Sequence, residues 1–68
     1  MSEKSKLVNR VDDWSQEHDI EVDHQFESIF QNAKGKGYGW SQIEEEDPTA
    51  FEKAYDLAIK HKDEMLNS

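Results

Sequence analysis

Five residues capable of holding a metal ion fall within seven positions: His18, Asp19, Glu21, Asp23 and His24. Asp19-x-Glu21-x-Asp23 has the spacing of the first three ligands of an EF-hand calcium loop. That loop then requires Gly at its sixth position and Glu at its twelfth. His24 and Phe30 stand there, so the motif fails. A transition metal could use His and carboxylate ligands, but the acids alternate along an extended segment and point to opposite sides. His24-x-x-Glu27 is one reversed Glu-x-x-His pattern without partner ligands on other helices, so no di-iron bundle site is expected. No metal or other cofactor is expected, and a metal-responsive switch over His18–His24 is kept only as a second alternative.

Lys36, Tyr38 and Trp40 form the second group, interleaved with Gly35, Gly37 and Gly39. This is neither a P-loop nor a dinucleotide-binding glycine turn, so it offers no phosphate cradle. An amine beside two aromatic side chains is instead a composition enriched where proteins bind one another. Trp40 could equally anchor the core against Phe51 or Tyr55. Directly after it comes the acidic run Glu44, Glu45, Glu46 and Asp47. These seven residues, Lys36, Tyr38, Trp40, Glu44, Glu45, Glu46 and Asp47, are the expected partner-binding set.

Catalysis finds little to build on. There is no cysteine, and no serine sits in a Gly-x-Ser-x-Gly elbow. Acid–base work needs a water-shielded pocket that shifts pKa values. A chain of 68 residues, only 34% of them hydrophobic, needs its apolar side chains for its own core. Direct nucleic-acid binding is also disfavoured. Gly37 to Ile43 has the outline of a helix-turn-helix turn, but Glu44–Asp47 would repel phosphates, which Lys and Arg must neutralise. Arg10 is the only arginine. The opposite relation is the first alternative, a DNA mimic whose carboxylates occupy a nucleic-acid-binding protein. Val11 to Ala33 contains no Lys or Arg, and with Glu44–Asp47 it could supply two negative ridges. Acidic faces that merely keep the protein soluble are the simpler explanation.

The elements that must position these groups are helical. Ser2 can cap a helix over residues 3–17, with Leu7, Val11, Trp14 and His18 on one face, Val8 beside it, and Asp12 and Asp13 away from it. Ile20 and Val22 alternate with acids in an extended connector. Asp23 caps a helix over 24–34 whose face is Phe26, Ile29, Phe30 and Ala33, and the glycine run Gly35-Lys36-Gly37-Tyr38-Gly39 ends it, since Gly tolerates the left-handed conformation needed after a helix. Ser41 and Glu44 read as a capping box for a short helix over 41–46. Asp47-Pro48 opens a helix over 48–65 with Phe51, Ala54, Tyr55, Ala58 and Ile59 inward.

Four such faces pack into a small all-α, three- to four-helix bundle forming a single domain. Sixteen acids against eight bases give a net charge of −8, and Leu, Ile, Val and Phe make up only 13 of 68 residues. Disorder is a risk at that composition, offset here by two Trp, two Tyr, three Phe and repeated cap signals. No apolar run approaches a membrane span and no secretory leader precedes the first helix. The expectation is therefore a cytoplasmic, non-enzymatic accessory protein of bacterial or phage type. Its partner would be another protein, not nucleic acid or membrane, and homo-oligomerisation remains open to a core this small.

Overall fold

The computed structural model describes residues 2–67, and its elements are four helices with no strand among those residues. Helix α1 spans Glu3–Glu17. Ser2 caps it as expected: its backbone is extended and its Oγ accepts the Ser5 N–H at 3.1 Å. The buried face differs from the apolar stripe read from the sequence. It runs through Ser5, Val8, Val11, Asp12, Trp14 and Ser15, while Leu7 is half-buried and His18 exposed.

Asp12, expected to face away, is only 3% exposed. The reason is that Ser5, Asp12 and Ser15 extend the Val8 line at helical spacing, and each has a partner. Ser5 Oγ donates to the Ser2 carbonyl at 3.0 Å and Ser15 Oγ to the Asp12 carbonyl at 2.8 Å. Gln16 Nε2 donates to Asp12 Oδ1 at 3.2 Å, and Trp40 Nε1 donates to Asp12 Oδ2 at 3.3 Å. Polar groups are tolerated inside a protein once paired in this way. Among the described residues no buried side-chain polar atom lacks a partner.

Helices α1 and α2 (His24–Lys34) end in the same backbone device. Asp19 takes the left-handed conformation, φ 55°, so that Ile20 N–H reaches the Ser15 carbonyl at 2.8 Å and Asp19 N–H reaches that of Gln16 at 3.3 Å. At the second end the left-handed residue is Gly37, φ 80°, with Tyr38 N–H on the Ala33 carbonyl and Gly37 N–H on that of Lys34, both at 2.9 Å. Both are Schellman ends, in which paired 6→1 and 5→2 bonds satisfy the last carbonyls. Of the glycine run, Gly35 is right-handed at φ −62° and simply continues the turn. Each end turns its next side chain back to the core: Ile20 and Tyr38 pack against it in part. Val22 follows Ile20 into the interior, and Asp23 caps α2 by accepting Gln25 N–H at 2.8 Å.

Helix α3 spans Trp40–Glu46, one residue earlier than its cap signal implied. Gly39 is the N-cap and no side chain caps it, so the Ser41–Glu44 box does not form. Glu44 is drawn away by a distant partner: Ser2 Oγ lies 2.7 Å from its Oε2 and 2.8 Å from its Oε1. Helix α4 spans Pro48–Leu66 and starts as expected, with Asp47 Oδ1 accepting Ala50 N–H at 3.3 Å and Pro48 in the first turn.

Helices α1 and α4 run in the same sense. Lys4 Nζ sits 2.9 Å from Glu52 Oε1 and 5.0 Å from the Tyr55 ring centre near their starts, and Arg10 shares a groove with Lys62 further along. Helix α2 runs against α4, since its start is tied by His61 Nε2, 3.0 Å from the Val22 carbonyl. Its end lies beside Ala50. The fully buried Ala54 and Ala58 let neighbouring elements approach the α4 backbone.

At the centre, the Trp40 ring lies 4.9 Å from that of Phe26 and 5.3 Å from that of Phe30, stacked on the latter. The expected Phe51 and Tyr55 are not its ring partners.

Three outcomes follow in urea or thermal unfolding. Trp40→Phe keeps a ring in the stack but strips a donor from buried Asp12, and should cost about 1–3 kcal/mol. Additive losses from Trp40→Phe and Asp12→Ala in a double-mutant cycle would refute the coupling. Asp19→Gly relieves a left-handed non-glycine residue and should stabilise by roughly 1 kcal/mol. Gly37→Ala should cost a similar amount, through the backbone alone, because a Cβ there meets nothing within 4 Å.

Candidate functional site

Where the Schellman end of α2 passes the junction of α3 and α4, the surface forms a cleft of about 290 Å³. Its walls come from three elements. Ile29, Asn32, Ala33 and Lys36 repeat at helical spacing along α2 and its end, Tyr38 follows the left-handed Gly37, and Ile43, Glu46, Asp47 and Ala50 close the far side. Ile29, Ala33 and Ile43 make the floor apolar. Lys36 stands on one rim and Glu46 and Asp47 on the other, all three exposed, while Tyr38 is half-buried between them. Asp47 keeps its capping bond to Ala50, so one oxygen of that rim is already engaged.

Four of the seven expected contact residues therefore converge: Lys36, Tyr38, Glu46 and Asp47. The other three do not. Trp40 is 3% exposed and belongs to the core, because its indole N–H is needed by Asp12 and its faces by Phe26 and Phe30. Glu44 is half-buried against Ser2. Glu45 is exposed, but outside the cleft. Ile29, Asn32, Ala33, Ile43 and Ala50 were missed. The first two were readable as positions seven and four residues before Lys36 on one helical face. Ala50 is third in α4 and became visible only once α4 was packed beside the loop.

The cleft's volume sits at the lower limit of small-molecule sites, enough for one or two side chains. Around His18 and His24, both side chains are exposed, and the His18 ring lies 5.7 Å from that of Trp14. Among the described residues no three His, Cys, Asp or Glu side chains come together as a metal-holding group. Nor is any described helix long and apolar enough to cross a membrane.

A second concavity, of about 330 Å³, is lined by Ser15, Gln16, Asp19, Ile20, Glu21 and Glu27. Burial first, and then the charges of Asp12 and Glu21, raise the Glu27 pKa above the ordinary 4.5. No protein-family model, curated protein or solved structure matches this chain.

An acid whose pKa is higher when folded binds its proton more tightly in the native state, so ionised Glu27 weakens the fold at neutral pH. Its contribution to stability is present below the unfolded value of 4.5 and is lost as pH rises through the higher folded value. Glu27→Gln should therefore raise the melting temperature at pH 7, with the gain shrinking as pH falls below that window. An equal gain at every pH would show that ionisation is not the cause.

Proposed function

We propose that this chain is a small acidic, non-enzymatic accessory protein that works by binding another protein, as an adaptor, assembly factor or inhibitor. The observation that carries this reading is the convergence of Lys36, Tyr38, Glu46 and Asp47 around one apolar floor. Two loop residues and two helix-junction residues, read as a contact set from their types alone, share a concave surface. Tyr38 has its backbone fixed by the N–H bond to the Ala33 carbonyl, and its side chain packs in part against the core before a partner arrives. A preordered aromatic anchor loses little conformational entropy on binding and suits the centre of an interface. Opposite charges on the two rims fix the orientation of whatever side chain enters.

The DNA-mimic alternative draws on the same acids but has fewer of them to use. Asp12 is buried against Trp40, and Glu44 is engaged by Ser2. What remains is dispersed over several elements. The remaining negative charge supports solubility without further assumption.

Affinity capture from the native host with charge-altered variants tests the reading. Lys36→Glu and Glu46→Lys should each lose the partner recovered by the unaltered chain, with melting temperatures unchanged because both sites are exposed. Glu45→Lys, adjacent but outside the cleft, should retain it. Recovery indifferent to Lys36 and Glu46 would reject the cleft. Loss caused instead by neutralising Asp13 and Glu17, with a steep salt dependence, would favour DNA mimicry.

A further inference from the structure

Eight cations stand against sixteen acids in this chain, yet four of the eight line a single groove. Lys4, Lys6 and Arg10 enter it from α1 and Lys62 from α4, around Leu7 and Tyr55, enclosing about 350 Å³. Among the described residues, Glu3 is its one acidic wall residue. Lys4 is occupied by Glu52 and the Tyr55 ring. Lys6, Arg10 and Lys62 have no ion-pair partner among the described residues. In a protein of net charge −8 with acids on every helix, three unpaired cations side by side mark a local reversal of sign.

The groove is also bordered by apolar surface. Ile59 and Leu66 are 43% and 55% exposed. Both lie on the α4 stripe Tyr55, Ile59, Lys62, Leu66, with steps of four, three and four residues. Single exposed apolar residues are ordinary; here both flank Lys62, which lines the groove together with Arg10. The stripe alternates the chemistry that an acidic, aliphatic segment would meet.

We propose that the α1–α4 groove docks a short acidic segment of another protein. Its carboxylates would lie on Lys6, Arg10 and Lys62, and an aliphatic side chain on Tyr55 and Ile59. Arg10 offers the bidentate geometry that carboxylates fit. Size separates a short segment from an extended polyanion. The molecule measures 32 × 22 × 16 Å, so an anionic bilayer or a DNA duplex laid on the groove also meets the acidic faces within about two screening lengths of 8 Å each. A short segment ends before reaching them. The groove shares no residue with the Tyr38 cleft, so this docking stands apart from the function proposed above.

The test is amide NMR of the full chain titrated with a capped synthetic peptide of glutamate pairs separated by leucines. Shifts should localise to Lys6, Leu7, Arg10, Tyr55 and Lys62 and weaken with added salt. Arg10→Glu with Lys62→Glu should raise Kd by at least about tenfold, at an unchanged melting temperature. Leu66→Ser should weaken binding less, and Lys36→Glu not at all. Shifts that are absent at millimolar peptide, centred on Tyr38, or indifferent to the double reversal would overturn the proposal. So would tighter binding of phosphatidylserine vesicles or duplex DNA to the same amides. Sedimentation showing a dimer that Arg10→Glu dissociates would give the groove to a second copy and equally overturn it.

Discussion

The hydrogen bond from Trp40 to Asp12 is the constraint on which the rest of the arrangement depends. A carboxyl group withdrawn from water must find donors, and a buried indole must find an acceptor. Here each satisfies the other across 28 residues of sequence. Phe26 and Phe30 hold the indole from α2, so three helices meet at one side chain. Helix α3 is short and lacks a side-chain cap, and it would be marginal alone. The bond and the aromatic stack seat it. With Trp40 drawn inward, Tyr38 two residues earlier is left at the mouth of the cleft. Ile43, Glu46 and Asp47, further along the same short helix and its end, supply the opposite wall.

The acidic character of the chain divides by role. Asp23 and Asp47 cap helices, Asp12 organises the core, Glu44 answers Ser2, and Glu52 holds Lys4. These are local or paired uses in which a carboxylate replaces a missing backbone or side-chain partner. Glu27 is the contrary case, pressed between Asp12 and Glu21. Other acids, such as Asp13, Glu17 and Glu45, are exposed. Because the cations are unevenly placed, a whole-chain charge of −8 describes the average of two different surfaces.

Features decided within one helical turn were legible in the sequence. Ser2, Asp23 and Asp47-Pro48 announce helix starts through bonds that span two or three residues, and all three act as read. The cleft was partly legible for a similar reason: Lys36 and Tyr38 straddle one glycine, and Glu46 and Asp47 flank one helix junction. Features decided by distant partners were not. Nothing near Asp12 indicates that an indole awaits it, and the Ser41–Glu44 capping pattern is locally sound until Ser2 arrives from 42 residues away. The glycine run was ambiguous in a different way. Three glycines permit a left-handed residue at three places, and only the packing of Tyr38 selects Gly37. The α1–α4 groove was invisible because its cations are spread from position 4 to position 62.

Asp47 ends α3 and caps α4 with the same residue. Such a joint has no slack. A linker of several residues would absorb displacement; a single shared residue makes α3 and α4 a bent rod. Glu46 and Asp47, which line the cleft, stand at the short arm of that rod. The long arm is the 19-residue α4, whose outer stripe forms one bank of the basic groove. The two surfaces have no residue in common, yet one bent element carries a wall of each.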